Sequence, residues 1–530
     1  MQGRRRKRAA ESIRTEVRAR RFHNARKLGK FKTLTENAGN RDCKRNIHGP
    51  IISNWNVLPM RLERTRSPDP AARHELLSRV LGDWDGEDAG RRRILLLTSG
   101  LGLGHVRAAQ AIEAALDDSV TVRTLDLWSL MHSGVAQAVH ETYLSLVQNY
   151  PQLYERLYTL DEQTWRQILE SESGPPPAVL EVLQLISQIA ADVGVPSTRS
   201  AKYASDRMLF SLLYSSLAYE ADSLAGNGVL ARLVVMKWCW MRLIRRLEPA
   251  IRRFAPDVIV STQMIPAAMA SYLKQRRKAT APLIGVMTDF GVHDFWKQRG
   301  VDRYCVAHES ILGSVGSQFP HAVEIATGVP LMPDFMRPMS QADARQELQL
   351  PQAGPIVLVL GGGLGLSVDA ACGALLERKN GPRLIAMPGR NNNARSALDV
   401  LARKHPDRLR VCEWTERMDI YLRAADVVVG KPGGISVAEA LACGRPLLAT
   451  RSLGGQEGFN IAFLQSHDVG GLVADGELLD RLAALLQDSN ALQAMQMRAW
   501  QLGRREGARR IAEQAVDLAS SSQSAVYRSP

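Results

Sequence analysis

The chain has 530 residues, 45% hydrophobic and 23% charged, which is enough apolar material for two packed domains and excludes a chain disordered throughout. Its net charge of +14 belongs to one end: residues 1–50 carry 16 Lys and Arg against 4 Asp and Glu, whereas the other 480 carry 52 against 50. A nearly neutral body argues against a fold built around nucleic acid, so no specific nucleic-acid partner is expected, and a basic nucleic-acid-binding protein, supported by the tail alone, is the non-enzyme alternative. The six cysteines, Cys43, Cys239, Cys305, Cys372, Cys412 and Cys443, form no C-x-x-C pair, which argues against a disulfide framework or a thiolate zinc site and for a reducing compartment. No apolar run of signal-peptide length follows the cationic opening, so secretion is not expected. The most apolar stretch, residues 229–244, is interrupted by Arg232, Lys237 and Arg242 and falls short of the ~20 residues that span a bilayer. Any membrane contact is therefore expected to be peripheral.

Residues 1–75 are Arg-rich, irregularly patterned and carry Pro68 and Pro70, and read as a poorly ordered basic tail. Asp83-Trp84-Asp85 has the D-x-D spelling of metal-dependent sugar transferases but falls in a polar linker, where solvated carboxylates are expected. Past residue 91 a buried strand is predicted at 94–98, then a glycine turn, a helix with apolar Ala108, Ile112 and Ala115, and a strand at 120–125. Residues 128–254 break this rhythm with a helical insertion punctuated by Gly174, Pro175, Pro176 and Pro177. Strands are predicted again at 257–261, 283–288 and 303–306, and Gly328, Pro330, Pro333 and Pro338 mark an interdomain crossing. A second alternating series follows, with strands near 356–360, 383–387, 408–412, 426–429 and 446–449, and helices over 478–520 close the chain. The prediction is an α/β protein of two doubly wound, Rossmann-like domains, 90–330 and 340–520, facing a cleft at the carboxyl ends of their strands.

Four glycine-rich turns carry the candidate chemistry. Ser99 to His105, between a strand and a helix, includes Gly100, Gly102 and Gly104, where bare backbone and free N–H groups favour an anion. A dinucleotide fingerprint with Asp126 on a ribose fails on spacing, because it needs a small residue at His105 or Arg107. A plain glycine turn remains open, although His105 at the helix mouth offers a neutral base. Gly430 to Ala440 includes Lys431, Pro432, Gly433, Gly434, Ser436 and Glu439; its Gly-Gly entry into a helix suits a diphosphate, and Glu439 can accept both hydroxyls of a ribose. It lacks the order of an NTPase phosphate loop. Gly454 to Asn460 places Gln456 and Glu457 side by side, suited to a polyhydroxyl ring, or else to a surface loop. Gly361, Gly362, Gly363 and Gly365 line the cleft with backbone or serve close packing between domains.

Taken in order, His105 with its glycines, residues 256–262, Thr288-Asp289-Phe290 with His293 and Trp296, Gly389-Arg390-Asn391, Lys431 to Gly434 with Glu439, and Gly455-Gln456-Glu457 with Asn460 resemble the diacylglycerol glycosyltransferases of glycosyltransferase family 28. That family includes monogalactosyldiacylglycerol synthases and processive glucosyltransferases, and the resemblance covers residues 92–480. It implies a GT-B-like fold, an inverting mechanism with no required cofactor or metal, and a UDP-sugar co-substrate held mainly by the second domain. By position, Gly433 and Gly434 would border the diphosphate, Glu439 would hold the ribose, and Gln456 and Glu457 would meet the sugar. Gly362, Gly363, Arg390, Asn391, Lys431, Ser436 and Asn460 would fall on the same donor side. His105 would be the base, and Gly102, Gly104, His293 and Trp296 would lie toward the acceptor. Asp289 is the second candidate base, with orienting His105 or His293 as the other role open to it. The sequence departs from the family where Leu101 and Leu103 separate the glycines, where Ser436 replaces the usual Thr, and in the helical insertion.

The resulting expectation is an inverting hexosyltransferase that moves a sugar from a UDP-sugar to diacylglycerol or a glycolipid. A polyprenyl-linked acceptor, or epimerisation of the UDP-sugar on the same fold, are the alternatives. An anionic membrane surface is the expected partner, reached through Trp238 and Trp240 beside Arg242, Arg245 and Arg246 on one helical face, unless that helix is simply a core helix with a basic outer side. The place implied is the cytoplasmic face of a membrane, with a cytoplasmic pool.

Overall fold

The computed structural model describes residues 91–131 and 243–526, less 317, 364, 366, 451–454 and 475. The basic tail, Asp83 to Asp85, most of the 128–254 insertion, Trp238, Trp240, Arg242 and Gly454 lie outside the described residues.

The first sheet is built from β1 (Arg92–Thr98), which leads through a glycine turn into α1 (Leu103–Ala114), and β2 (Val120–Asp126). After a helix over residues 243–254 come β3 (Val258–Ser261), α2 (Met264–Gln275), β4 (Leu283–Val286), β5 (Arg303–Val306) and β6 (Val323–Ala326). Its order is β2-β1-β3-β4-β5-β6, parallel throughout. Residues 94–97 form a continuous apolar run because both faces are covered. Leu95 and Leu97 pack with Leu247, Phe254 and Leu273 on one side, and Ile94 and Leu96 with Ile112, Ile511 and Ala515 on the other.

The second domain runs through α3 (Gln341–Glu347), β7 (Ile356–Leu360), α4 (Val368–Leu376), β8 (Arg383–Met387), α5 (Asn392–Lys404), β9 (Leu409–Val411) and α6 (Met418–Ala424). It continues with β10 (Val427–Gly430), α7 (Gly434–Ala442), β11 (Leu447–Ala449), α8 (Gln456–Ser466), β12 (Gly470–Leu472), α9 (Leu478–Gln487) and α10 (Ser489–Leu502). The order is β12-β11-β10-β7-β8-β9, again all parallel. Two doubly wound sheets are therefore the architecture, as expected. The last helix, α11 (Gly507–Val526), returns to the first sheet, where Ile511, Ala515 and Ala519 are buried.

Each sheet has one point where the winding reverses, and the crevice there is where such folds take ligands. In the first sheet it lies between β1 and β3, in the second between β10 and β7. The turns that follow these four strands are the glycine turn with His105, the turn at Thr262, the Lys431 to Gly434 turn and the Gly361 to Gly365 turn.

Burial decides between two open readings at two places. Trp296, read as packing or as stacking on the acceptor, is 6% exposed within the core of the first sheet, and its carbonyl accepts from the Tyr304 hydroxyl. The described half of the basic helix is a core element: Leu243, Ile244, Leu247, Ala250, Ile251 and Phe254 are buried, and Arg246 donates to the Leu130 carbonyl. Of the two described arginines assigned to a membrane face, Arg245 is exposed and Arg246 half-buried. No helix among the described residues is long and apolar enough to cross a membrane.

Candidate active site

The first wall is the entry to α1. Asp126, at the end of β2, accepts from the Gly100 N–H (3.2 Å) and the Trp128 N–H (3.0 Å), while the Trp128 indole donates to Ser99 Oγ. This carboxylate shapes the glycine turn; a Cβ at Gly100 would lie 2.6 Å from it. Gly102 then caps α1 without a side-chain partner, so the helix mouth keeps its N–H groups. His105 sits one turn in, with Nδ1 2.9 Å from the Thr262 carbonyl, which can only accept. The Nδ1 proton is thereby fixed, and Nε2 carries the lone pair. Burial lowers the pKa of His105, opposed by the nearby charge of Asp289 and by the Thr262 carbonyl. The imidazole is thus neutral at neutral pH.

The second wall is the entry to α7. Gly433 caps it with no side-chain hydrogen bond and no acid in the first turn, and a Cβ there would meet nothing within 4 Å. No side chain caps the first N–H groups of α7 and Gly433 borders open space, an entry that suits a phosphate. Glu439, one turn further, is buried and makes no hydrogen bond to a described residue. Burial raises its carboxyl to about 7, with Arg107 pulling it down and Asp419 pushing it up. A buried carboxylate without a protein donor fits a ligand that brings two hydroxyl donors. Ser436 stands in the first turn of the same helix. Lys431 pairs with the buried Glu457 at 2.6 Å, so the carboxylate at the start of α8 is held by the turn that enters α7. Gln456, beside it, opens α8.

The walls meet through their turns. A Cβ at Gly104 would lie 3.2 Å from Ile435, one at Gly363 would lie 2.4 Å from Leu103, and one at Gly434 would lie 1.9 Å from the Thr288 carbonyl. Gly434, expected to border the diphosphate, is thus a point of backbone contact between domains, whereas Gly433 and Gly362 face open space. Asn460, expected on the donor side, is fully buried. Its Nδ2 donates to Asp289 Oδ1 (2.9 Å) and the Pro432 carbonyl (3.0 Å), and its Oδ1 accepts from the Phe290 N–H (2.8 Å). Asn391 caps α5 through Asn393 and Ala394, and His293 caps the short turn at Asp294–Trp296. Arg390 stacks on Trp414, 5.2 Å from its ring centre.

Sequence reasoning passed over one cluster at the cleft edge. Arg107 of α1 pairs with Glu416, which also accepts from the Trp414 indole, so the turn after β9 is tied to the first domain. Its signal was present in the sequence, because a Trp and a Glu at a strand's carboxyl end are placed to meet a ligand. Among the described residues no group of three His, Cys, Asp or Glu could hold a metal ion.

Comparison with known proteins agrees with the resemblance to diacylglycerol glycosyltransferases. The family model described as monogalactosyldiacylglycerol (MGDG) synthase matches residues 207–316, a span that contains Thr262, Asp289 and His293. The processive diacylglycerol beta-glucosyltransferase of Bacillus licheniformis is 29% identical over 257 residues, 47% of this chain and 66% of that protein. That of Bacillus pumilus is 28% identical over 279 residues, 52% and 72%. The chain is similar to the diacylglycerol glycosyltransferases. The matched segment covers just under two thirds of the length of the first of these relatives. Among solved structures, MurG of Acinetobacter baumannii is 12% identical with a TM-score of 0.49, over 80% of this chain and 99% of that one. A UDP-glucosyltransferase from Polygonum tinctorium is 11% identical with a TM-score of 0.48, over 82% and 99%.

Proposed function

We propose that this protein is an inverting hexosyltransferase that carries a sugar from a UDP-sugar to the free hydroxyl of diacylglycerol or a glycolipid at an anionic membrane surface. The observation that carries the reading is the neutral His105, its Nδ1 pinned to Thr262 and its Nε2 left as acceptor, on the wall opposite an open helix mouth and a buried, ligand-ready carboxylate. The family relationship supports the acceptor class.

The acceptor hydroxyl gives its proton to His105 Nε2 as its oxygen attacks the anomeric carbon. The bond from that carbon to the diphosphate oxygen breaks on the opposite face, and the diphosphate leaves with the electron pair. Charge that develops on it faces the first N–H groups of α7 beside Lys431, which are already oriented. Glu439 accepts from the ribose hydroxyls, and Gln456 and Glu457 orient the sugar. None of these steps calls for a metal.

The test is turnover on vesicles of diacylglycerol and anionic lipid, with UDP-glucose, UDP-galactose, UDP-GlcNAc and UDP-glucuronate offered in parallel and products read by mass spectrometry. Lipid heavier by one or more hexose units is expected. UDP-sugar binding without any glycosylated lipid would remove the acceptor assignment, and a free epimerised UDP-sugar would replace the reaction class.

A further inference from the structure

We propose that Asn460 is a positioning residue that couples the two walls of the cleft, holding Asp289 beside His105 while fixing the diphosphate turn at Pro432. The inference rests on the reading of His105 as the base. The whole amide of Asn460 is committed to this bridge. Both N–H donors and the carbonyl are engaged, two of the three bonds reach across to the first domain, and the side chain is fully buried. Both donors are spent, so the group has no N–H left for a sugar oxygen. The same amide touches the residue whose charge acts on the base and the turn that carries Gly433, whose backbone faces open space, so the spacing between base and donor passes through one side chain. Gly434 against the Thr288 carbonyl leaves no room for a different register.

His105 meets few charges. Asp289, after β4, is the charged group acting on it among the described residues; β3 presents the Thr262 carbonyl, and α7 presents the uncharged Ile435 against the neighbouring Gly104. Releasing Asp289 removes the negative charge that favours the imidazolium, so the pKa of His105 falls further and the acid limb of the rate profile moves to lower pH.

The experiment compares Asn460→Ala, Asp289→Asn and the double variant. In Asn460→Ala, kcat is expected to fall by roughly 100-fold, the loss that a 1 Å misplacement of reacting groups carries, with KM for the UDP-sugar changed far less. The acid limb should move down in both single variants, and the acid limb of the double should match that of the Asp289→Asn variant. Additive shifts of the acid limb, or an unmoved acid limb, would overturn the proposal. Because a lost rate could also mean that the acceptor is wrong, the His105 imidazole is titrated by NMR in the unliganded protein, its signal assigned by loss in His105→Gln. A lower pKa in Asn460→Ala supports the coupling whatever the acceptor. An unchanged pKa in a variant that still binds UDP, and is therefore folded, refutes it.

Discussion

Glu439 serves two opposed ends, and its substitution separates them. Its carboxyl in the folded protein titrates near 7 because burial penalises the charge, above the 4.5 of an unfolded chain. The native state therefore holds a proton that the unfolded state releases, and the stability cost of ionising it begins above pH 4.5 and is complete above about 7. A shift of this size corresponds to roughly 3 kcal/mol. Glu439→Gln is therefore expected to melt above wild type at pH 8, with the two curves converging near pH 4.5. The same change should weaken UDP-sugar binding by roughly 10- to 100-fold, the loss of charged hydrogen bonds to the ribose, as calorimetry would show. Wild-type affinity should rise as pH rises through 7 and that of Glu439→Gln should not, since the diphosphate diester does not titrate there. His105 divides the other way: His105→Ala should lower kcat by roughly 10²- to 10⁴-fold with donor affinity nearly intact. The rising limb of kcat/KM should lie below 6.5, because burial lowers the imidazole pKa and only the neutral ring accepts a proton. These two residues were legible in the sequence, since each stands at a helix entry fixed by glycines. Trp296, Asn391 and Asn460 were less so, because an aromatic or an amide in a motif has the same spelling whether it meets a ligand, caps a helix or fills a core.

The entry to α7 shows what glycine does at element scale. Gly433 and Gly434 are adjacent, yet a side chain at the first would enter empty space and one at the second would strike the Thr288 backbone. Gly433 has φ −66°, which any residue adopts. Gly433→Ala should thus melt with wild type and lose affinity for the donor alone, because its methyl would stand where the diphosphate goes. Gly434→Ala should lose stability and at least 100-fold in turnover, because the domains must shift where they touch; thermal melts and UDP calorimetry on the pair check both. Most strands were visible as apolar runs of four to seven residues, which is how strands covered on both faces read. β6 and β12 were not, since Val323 is exposed and Glu324 interrupts the run, and β12 opens on two glycines. The two alternating series were legible in the breaks between runs; strand order, and with it the two reversal points of the winding, was not.

At the scale of the molecule, the destination of α11 was hidden because an amphipathic helix does not encode which sheet it covers. The chain crosses between domains at Gly328 to Leu331 and again before Gly507, and the crossings are locked together. Arg504 donates to both oxygens of Glu309 at 2.7 and 2.8 Å, and a Cβ at Gly507 would lie 2.4 Å from the Val329 carbonyl. Beyond them, Arg303 reaches Gln514 and Asp517, and Ile511 is fully buried against the first sheet. The first domain is therefore completed by helix α11, which starts 415 residues after β1 does (507 − 92). Ile511→Ala is expected to cost about 2–5 kcal/mol, as a methyl-rich side chain lost from a closed core does. Hydrogen exchange would show where that cost falls. If the domains open separately, amides of β1 and β3 should exchange faster in Ile511→Ala while those of β7 and β10 keep their wild-type protection. Equal acceleration in both sheets would mean that the paired crossings and the Asn460 contact join the two domains into one cooperative unit, in which closure of the cleft over its donor could not proceed by rotation of one domain alone.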